Sequence, residues 1–288
     1  MTTTVVDSHM HLIDVTNHDW YPGLRVWADQ LSVPDLYRDF GVDEYRAAAA
    51  EAGLDVVKLV HVSATTKPRA YLDEAAWLDE VADRHGVDLV AIGTVDPTLD
   101  EAQMRADLEQ QARSPRFRGV RVLDGMAPDS AAARTVLDWL AERDLIFDLV
   151  TNPGELPGWT ATLARYPDLP VVLEHTGWPT GTDEDSRRVW EAALAAFASS
   201  TGERALCKLS GLGMVTRDLG EAALRPWLER ALELFGWDRV VFGSNMPIET
   251  MGGSYADLAR TLDAVVGSGT PEQQAAFYRG NAERVYRF

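Results

Sequence analysis

Short apolar runs recur along the chain at a regular interval, and each is followed by a longer segment with helical spacing. The runs are rich in Val, Ile, Leu and Phe, and eight of them predict strands, at residues 4–9, 55–62, 88–95, 117–123, 145–150, 169–175, 204–210 and 239–243. The segments between them are rich in Ala and charged residues and predict helices, chiefly at 43–52, 71–85, 99–112, 131–143, 158–166, 185–199 and 221–235.

The strand–helix alternation predicts the architecture. Strands separated by helices pair in parallel, and eight such units close into an α/β fold of the (β/α)8 TIM-barrel type. An open, doubly wound sheet is the competing fold, but no G-x-G-x-x-G follows any predicted strand. We therefore expect one barrel.

Two segments lie outside the eight repeated units. Residues 14–39, which include Trp20 and Tyr21, predict a long irregular loop inserted after the first strand, and loops of that length often cover a site. Beyond the eighth strand, residues 255–266 and 271–286 predict two more helices, the second of them extra to the barrel. Because no linker rich in Pro, Ser and Gly divides the chain, residues 1–288 are expected to form a single domain.

Charge and composition indicate which kinds of molecule the protein can bind. The chain has 27 Lys and Arg against 45 Asp and Glu, a net charge of −18, which argues against nucleic acid and against anionic membranes. The single cysteine excludes an intramolecular disulfide framework. No apolar run approaches the roughly 20 residues of a membrane span, and no basic and apolar leader precedes the first strand. A cytoplasmic enzyme with a small-molecule substrate is the expectation.

Polar residues that can do chemistry are concentrated where the predicted strands end. In barrels of this kind the active site lies at the carboxyl ends of the strands. The candidates there are His9, His11, His61, Arg121, His175, Lys208 and Asn245. The H-x-H spacing of His9 and His11 favours a bound water or metal ion, whereas His61 and Lys208 can equally be structural partners.

These strand ends carry a family resemblance. The motifs DSHMHL, HVSA, FRGVR, LEHTG, KLSGL and FGSNMP, in this order, resemble the amidohydrolase superfamily. More narrowly they resemble the amidohydrolase-2 group, which contains L-fuconolactonase, L-rhamnonolactonase and 2-pyrone-4,6-dicarboxylate lactonase types. The resemblance extends over nearly the whole chain and implies a (β/α)8 barrel that hydrolyses a carbonyl compound.

Two departures from that family pattern concern the metal. Metal-dependent members, as the resemblance implies, add a fifth-strand His and an eighth-strand Asp to the first-strand histidines. Here the fifth strand has no His, and Asn245 stands in the Asp position; a neutral amide is a poor ligand and no base. Without that His and Asp a tight metal site is hard to assemble, so no cofactor is expected. His9, His11 and His175 remain as a possible three-histidine ligand set, so a divalent metal such as zinc stays open.

The resulting hypothesis is hydrolysis of a lactone or a similar cyclic substrate. A negatively charged substrate is one form of this hypothesis. His175 is the expected base, since an imidazole titrates near neutral pH. His9 and His11 would polarise the carbonyl, Asn245 would orient water, and Arg121 would offset the oxyanion charge. The expected substrate-binding residues are His61, Trp20, Tyr21, Trp178 and Lys208.

Two alternatives to a lactonase stay open. One is a metal-dependent decarboxylase or hydratase of the aminocarboxymuconate-semialdehyde decarboxylase kind. The other is a ligand-binding or repurposed biosynthetic barrel without hydrolysis. A homodimer also stays open, because the sequence contains no interface signature.

Overall fold

The computed structural model describes residues 2–288 and shows one parallel sheet of eight strands in sequence order. The strands are β1 (Thr3–Met10), β2 (Leu54–Val62), β3 (Leu89–Gly93), β4 (Phe117–Val120), β5 (Ile146–Leu149), β6 (Val171–Leu173), β7 (Ala205–Leu209) and β8 (Val240–Phe242). A parallel bridge between Met10 and Met246 brings the end of β1 to the end of β8. The predicted (β/α)8 barrel is confirmed.

Helices follow the strands around the outside of the barrel. They are α1 (Pro22–Gln30), α2 (Val42–Glu51), α3 (Tyr71–His85), α4 (Glu101–Gln111), α5 (Ala131–Ala141), α6 (Leu156–Leu163), α7 (Glu184–Thr201), α8 (Gly213–Thr216), α9 (Glu221–Phe235), α10 (Tyr255–Val266), α11 (Pro271–Ala275) and α12 (Asn281–Tyr286). No helix in residues 2–288 combines the length and the apolar character needed to cross a membrane.

The insertion after β1 is more ordered than predicted. It contains α1 and a short 3-10 turn at Pro34–Leu36, so the expectation of an irregular loop at 14–39 is wrong. Pro22 begins α1, where its missing N–H costs nothing, and Leu24 and Ala28 bury one face of the helix. The backbone carbonyl of Trp20 accepts hydrogen bonds from the amides of Thr66 and Lys67, which ties the insertion to the loop after β2.

The final helical segment also differs from the sequence prediction. A π-helical turn at Ala276–Gly280 separates α11 from α12, where one helix over 271–286 was expected. Tyr286 of α12 packs into the barrel interior beside Val6, Ile146 and Val172, and all four side chains are fully buried. This interior cluster identifies inward-pointing residues of every strand except β4.

Candidate active site

The two histidines of the H-x-H motif reach the barrel interior through an irregularity in β1. Val6 points inward, so strict alternation would direct Ser8, and not His9, inward as well. The pairing of β1 with β2 shifts register between Asp7 and Met10, and such an irregularity re-aims side chains. As a result the His9 and His11 rings lie 5.0 Å apart, and the His9 and His175 rings lie 4.5 Å apart.

The polar cluster at this end of the barrel has two layers. His9, Glu174 and Lys208 form a fully buried floor, whereas His11, Arg121 and His175 lie at the rim with 5, 5 and 3 % of their surface exposed. The Nδ1–H of His11 donates to the carbonyl of Val62 at 2.8 Å, which leaves its Nε2 as a lone pair. Arg121 donates to the carbonyl of Ser63, and its guanidinium lies 3.9 Å from Glu174.

Glu174 is a functional candidate that the sequence reasoning missed. Its carboxylate lies 3.6 Å from His9 Nδ1 and 3.6 Å from His175 Nε2, and neither oxygen has a hydrogen-bond partner among residues 2–288. Burial raises the pKa of Glu174 to about 8, against which Arg121 acts in the opposite direction. The sequence position of Glu174 could have indicated its role, because residues two apart in a strand face the same side and Glu174 follows the inward-facing Val172 by two.

The raised pKa of Glu174 gives a prediction for stability. Between its ordinary pKa of 4.5 and about 8, the folded protein holds a proton that the unfolded chain has released, so stability falls as pH rises through this interval. Glu174→Gln removes this loss, and we expect its melting temperature to rise relative to wild type between pH 6 and pH 9. The exposed Glu51→Gln is the control; a Glu174→Gln difference that does not change with pH would refute the assignment.

His175 is held by an unusual backbone turn directly after β6. His175, Thr176 and Trp178 all have positive φ, at 54°, 53° and 42°, and Gly177 at 75° completes the run. A left-handed conformation costs a residue with a side chain roughly 1–2 kcal/mol, and such strain is concentrated at functional sites. The turn presents the imidazole with Nδ1 3.0 Å from the Ser210 hydroxyl and Nε2 toward Glu174.

Gly211 makes room for this ring. A Cβ atom at Gly211 would lie 2.3 Å from the His175 ring, and its φ is +72°. Because His175 is a candidate catalytic residue, we expect Gly211→Ala to lower kcat/KM by about 10²-fold, the effect of displacing such a group by about 1 Å. Gly53→Ala is the matched control, because its φ is +76° with nothing within 4 Å. Equal activity losses in the two variants would show that backbone strain alone is responsible.

Asn245 is paired with a carboxylate that the sequence reasoning also missed. It follows β8 with φ 55°, and its Nδ2 donates to Glu249 Oε2 at 3.0 Å. The other oxygen of Glu249 accepts from the Gly213 amide at 2.8 Å. Burial raises the pKa of Glu249 to about 7. One of the two Nδ2 hydrogens is donated to Glu249, so Asn245 retains a second N–H donor and its Oδ1 acceptor.

Lys208 lies beneath the mouth and away from its opening. The ammonium is 2.7 Å from Asp148 Oδ2 and 3.1 Å from His9 Nδ1, and both Lys208 and Asp148 are fully buried. Asp148 also accepts a hydrogen bond from the Tyr286 hydroxyl at 3.0 Å. The structure therefore joins Lys208 to His9 and places it out of direct reach of the barrel mouth.

Four other predicted substrate-binding residues are spread over different environments. His61 faces α3: its Nε2 lies 3.1 Å from Glu74, and its Nδ1 accepts from the Leu12 amide, so the ring is outside the cluster. Trp20 is buried beneath His18 with ring centroids 3.7 Å apart, and Tyr21 is fully buried in the core. Trp178 is half-buried, and its ring lies 5.4 Å from that of His175.

Three side chains have the donor types of a divalent-metal site. His9, Glu174 and His175 place one donor atom each within 4.8 Å of one another, so Glu174 takes the place that the sequence analysis gave to His11. The fit is incomplete, because the Nδ1 of His9 already lies 3.1 Å from the Lys208 ammonium. Imidazole binds a metal through a nitrogen lone pair, and the lone pair of His9 Nδ1 already accepts a hydrogen bond from the Lys208 ammonium.

Comparison with known proteins agrees with this architecture. A family model described as Amidohydrolase matches residues 6–288. The chain is 29 % identical to L-fucono-1,5-lactonase of Burkholderia ambifaria, over 98 % of this chain and 95 % of that protein. Among solved structures, an amidohydrolase from Burkholderia multivorans with bound zinc superposes with a TM-score of 0.83 at 24 % identity, covering 99 % and 100 % of the two chains.

A second solved structure shares the fold. Amidohydrolase 2 from Bifidobacterium longum subsp. infantis gives a TM-score of 0.75 at 23 % identity and covers both chains completely. The family match extends over nearly all of the chain, from β1 to the C-terminal residue. The chain belongs to the amidohydrolase family.

Proposed function

We propose that the protein hydrolyses a small lactone, with a six-membered sugar lactone as the first substrate class to test. The observation that carries the proposal is a neutral imidazole, His175, at 3.6 Å from the buried Glu174 carboxyl group, which itself lies 3.9 Å from the rim guanidinium of Arg121. Burial, together with the nearby Lys208 and Arg121 charges, holds the pKa of His175 well below its usual range, so the ring is unprotonated at neutral pH. The similarity to L-fucono-1,5-lactonase supports the choice of a lactone.

In the proposed reaction, water attacks the lactone carbonyl carbon while His175 Nε2 accepts a proton from that water. Glu174 lies 3.6 Å from Nε2, and the fraction of it that is ionised at neutral pH, set by its pKa of about 8, stabilises the imidazolium that forms. Collapse of the tetrahedral intermediate breaks the bond to the ring oxygen, which takes the proton from the imidazolium. The product is an open-chain hydroxy acid, and water supplies all of the added atoms.

The developing oxyanion requires donors on the opposite side of the carbonyl. Arg121 lies at the rim and retains donor groups beyond its bond to Ser63. Asn245 Oδ1 accepts from the attacking water or from a substrate hydroxyl, which suits a polyhydroxy ring. Trp178, half-buried beside His175, offers an apolar face to that ring.

A lactone panel tests the proposal directly. Proton release at neutral pH is followed for 1,5- and 1,4-sugar lactones, with heat-denatured protein as the blank for spontaneous hydrolysis. We expect turnover of at least one sugar lactone that is unchanged by a chelator. Lactone turnover that is lost with chelator would overturn the metal-free mechanism but not the lactonase activity. Absence of turnover across the panel would overturn the proposed activity: binding without turnover would indicate a ligand-binding protein, and no reaction with any lactone would favour the decarboxylase or hydratase alternative.

A further inference from the structure

Lys208 determines which nitrogen of His9 carries the proton. An ammonium group has three N–H donors and no lone pair, so its 3.1 Å contact with His9 Nδ1 is a donation to that nitrogen. The ion pair with Asp148, at 2.7 Å inside the barrel, fixes the position of the ammonium. Since Nδ1 accepts, the single N–H of neutral His9 is on Nε2.

The two histidines of the H-x-H motif therefore have opposite tautomers. His11 donates from Nδ1 to the Val62 carbonyl and keeps a lone pair on Nε2. His9 has its N–H on Nε2, and this buried atom has no hydrogen-bond partner among residues 2–288. A buried N–H donor without a hydrogen-bond partner is unfavourable unless a bound ligand supplies an acceptor. His9 Nε2–H is therefore a donor that can bind an acceptor atom of a ligand.

The charges of the site oppose a metal ion in the same region. Lys208 and Arg121 are two cations beside two carboxyl groups, Asp148 and Glu174, which balance the two positive charges at most. A dication added to this buried group would leave an excess of positive charge in a medium of low dielectric constant. The hydrogen bond to Lys208 and the balance of charge thus act in the same direction.

We propose that Lys208 is a positioning residue that locks His9 in the Nε2–H tautomer, which makes His9 a hydrogen-bond donor to the substrate and withdraws it from metal coordination. The identity of the acceptor, the lactone carbonyl oxygen, rests on the proposed function. The tautomer and the low metal affinity do not, so they can be tested without a substrate.

The first experiment uses the unmodified protein. Long-range ¹H–¹⁵N spectra of ¹⁵N-histidine-labelled protein, assigned with His9→Gln and His11→Gln, report the tautomer of each ring. We expect Nε2–H on His9 and Nδ1–H on His11, so His11 serves as the internal reference. A proton on His9 Nδ1 would overturn the proposal, and this result is independent of any lactonase activity.

The second experiment measures zinc binding by calorimetry. Lys208→Met combined with Asp148→Asn removes both buried charges together, and we expect it to release His9 into a tautomer mixture and to raise the affinity for Zn²⁺ at least tenfold over wild type. Lys58→Met with Glu283→Gln is the matched control, because that pair is 2.6 Å apart and remote from the mouth. Tight zinc binding by wild type, or an unchanged affinity in the folded double variant, contradicts the proposal.

Discussion

Replacing His175 with alanine is expected to lower kcat/KM for lactone hydrolysis about 10³-fold, the typical contribution of a positioned general base. The ring is a neutral base at the rim, and its geometry depends on a strained turn and on the space left by Gly211. Both the capture of the water proton and its return to the leaving ring oxygen are lost in the variant. The measurement is steady-state proton release over a range of lactone concentrations.

Two comparisons make this result specific to the proposed role. His85→Ala removes a histidine that pairs with Asp43 on the outer surface, and it is expected to retain wild-type kcat/KM. Circular dichroism and the melting temperature establish whether His175→Ala is folded. Full activity in the folded His175→Ala variant would show that another group accepts the proton, and Glu174 would be the first to examine.

The barrel itself could be predicted from the sequence because its signals are local. Eight apolar runs separated by helical segments specify the strand order, and three helices, α3, α9 and α10, have the bounds that the pattern predicts. The insertion was misjudged because α1 has only nine residues and derives its stability from packing, with Leu24 and Ala28 buried. A helix that depends on tertiary packing has only a weak periodic pattern in a sequence segment this short.

The site could be predicted only in part, because the register of each strand decides which of its side chains point into the barrel and which point toward the helices. The strand ends identified His9, His11, Arg121, His175 and Asn245, which the structure brings to one end of the barrel. His61 alternates with the inward-facing Val60 and Val62 and so faces α3, which its neighbours could have indicated. The β1 irregularity, the left-handed turn at His175 and the pairing of Glu249 with Asn245 involve backbone geometry and contacts between segments that spacing alone does not encode.

Asn245→Asp is expected to impair the enzyme although aspartate is the residue that the family resemblance implies at this position. The substitution would place a second carboxylate about 3 Å from Glu249, where the amide N–H now donates at 3.0 Å. Two carboxylates at that distance share one proton, and the pKa of the pair rises above the value of about 7 that Glu249 has alone.

The expected defect depends on pH in a defined direction. At pH 6 the shared proton replaces the amide as donor, so the geometry survives and kcat/KM stays close to wild type. As pH rises toward 8.5 the pair loses that proton, the carboxylates repel each other, and kcat/KM falls by about 10²-fold because Asn245's acceptor position is displaced. The melting temperature falls over the same interval, since the folded pair binds its proton more tightly than the unfolded chain does.

Exchanging the two groups separates repulsion from the loss of Asn245 itself. In Asn245→Asp with Glu249→Gln, the glutamine amide donates to the new carboxylate, so the hydrogen bond is restored with its direction reversed. We expect this double variant to regain the wild-type melting temperature at pH 8.5, measured by thermal denaturation beside the pH profile of kcat/KM. If Asn245→Asp alone instead raised kcat/KM strongly at pH 7, a carboxylate at this position would be the better base, and the assignment of proton capture to His175 would be wrong.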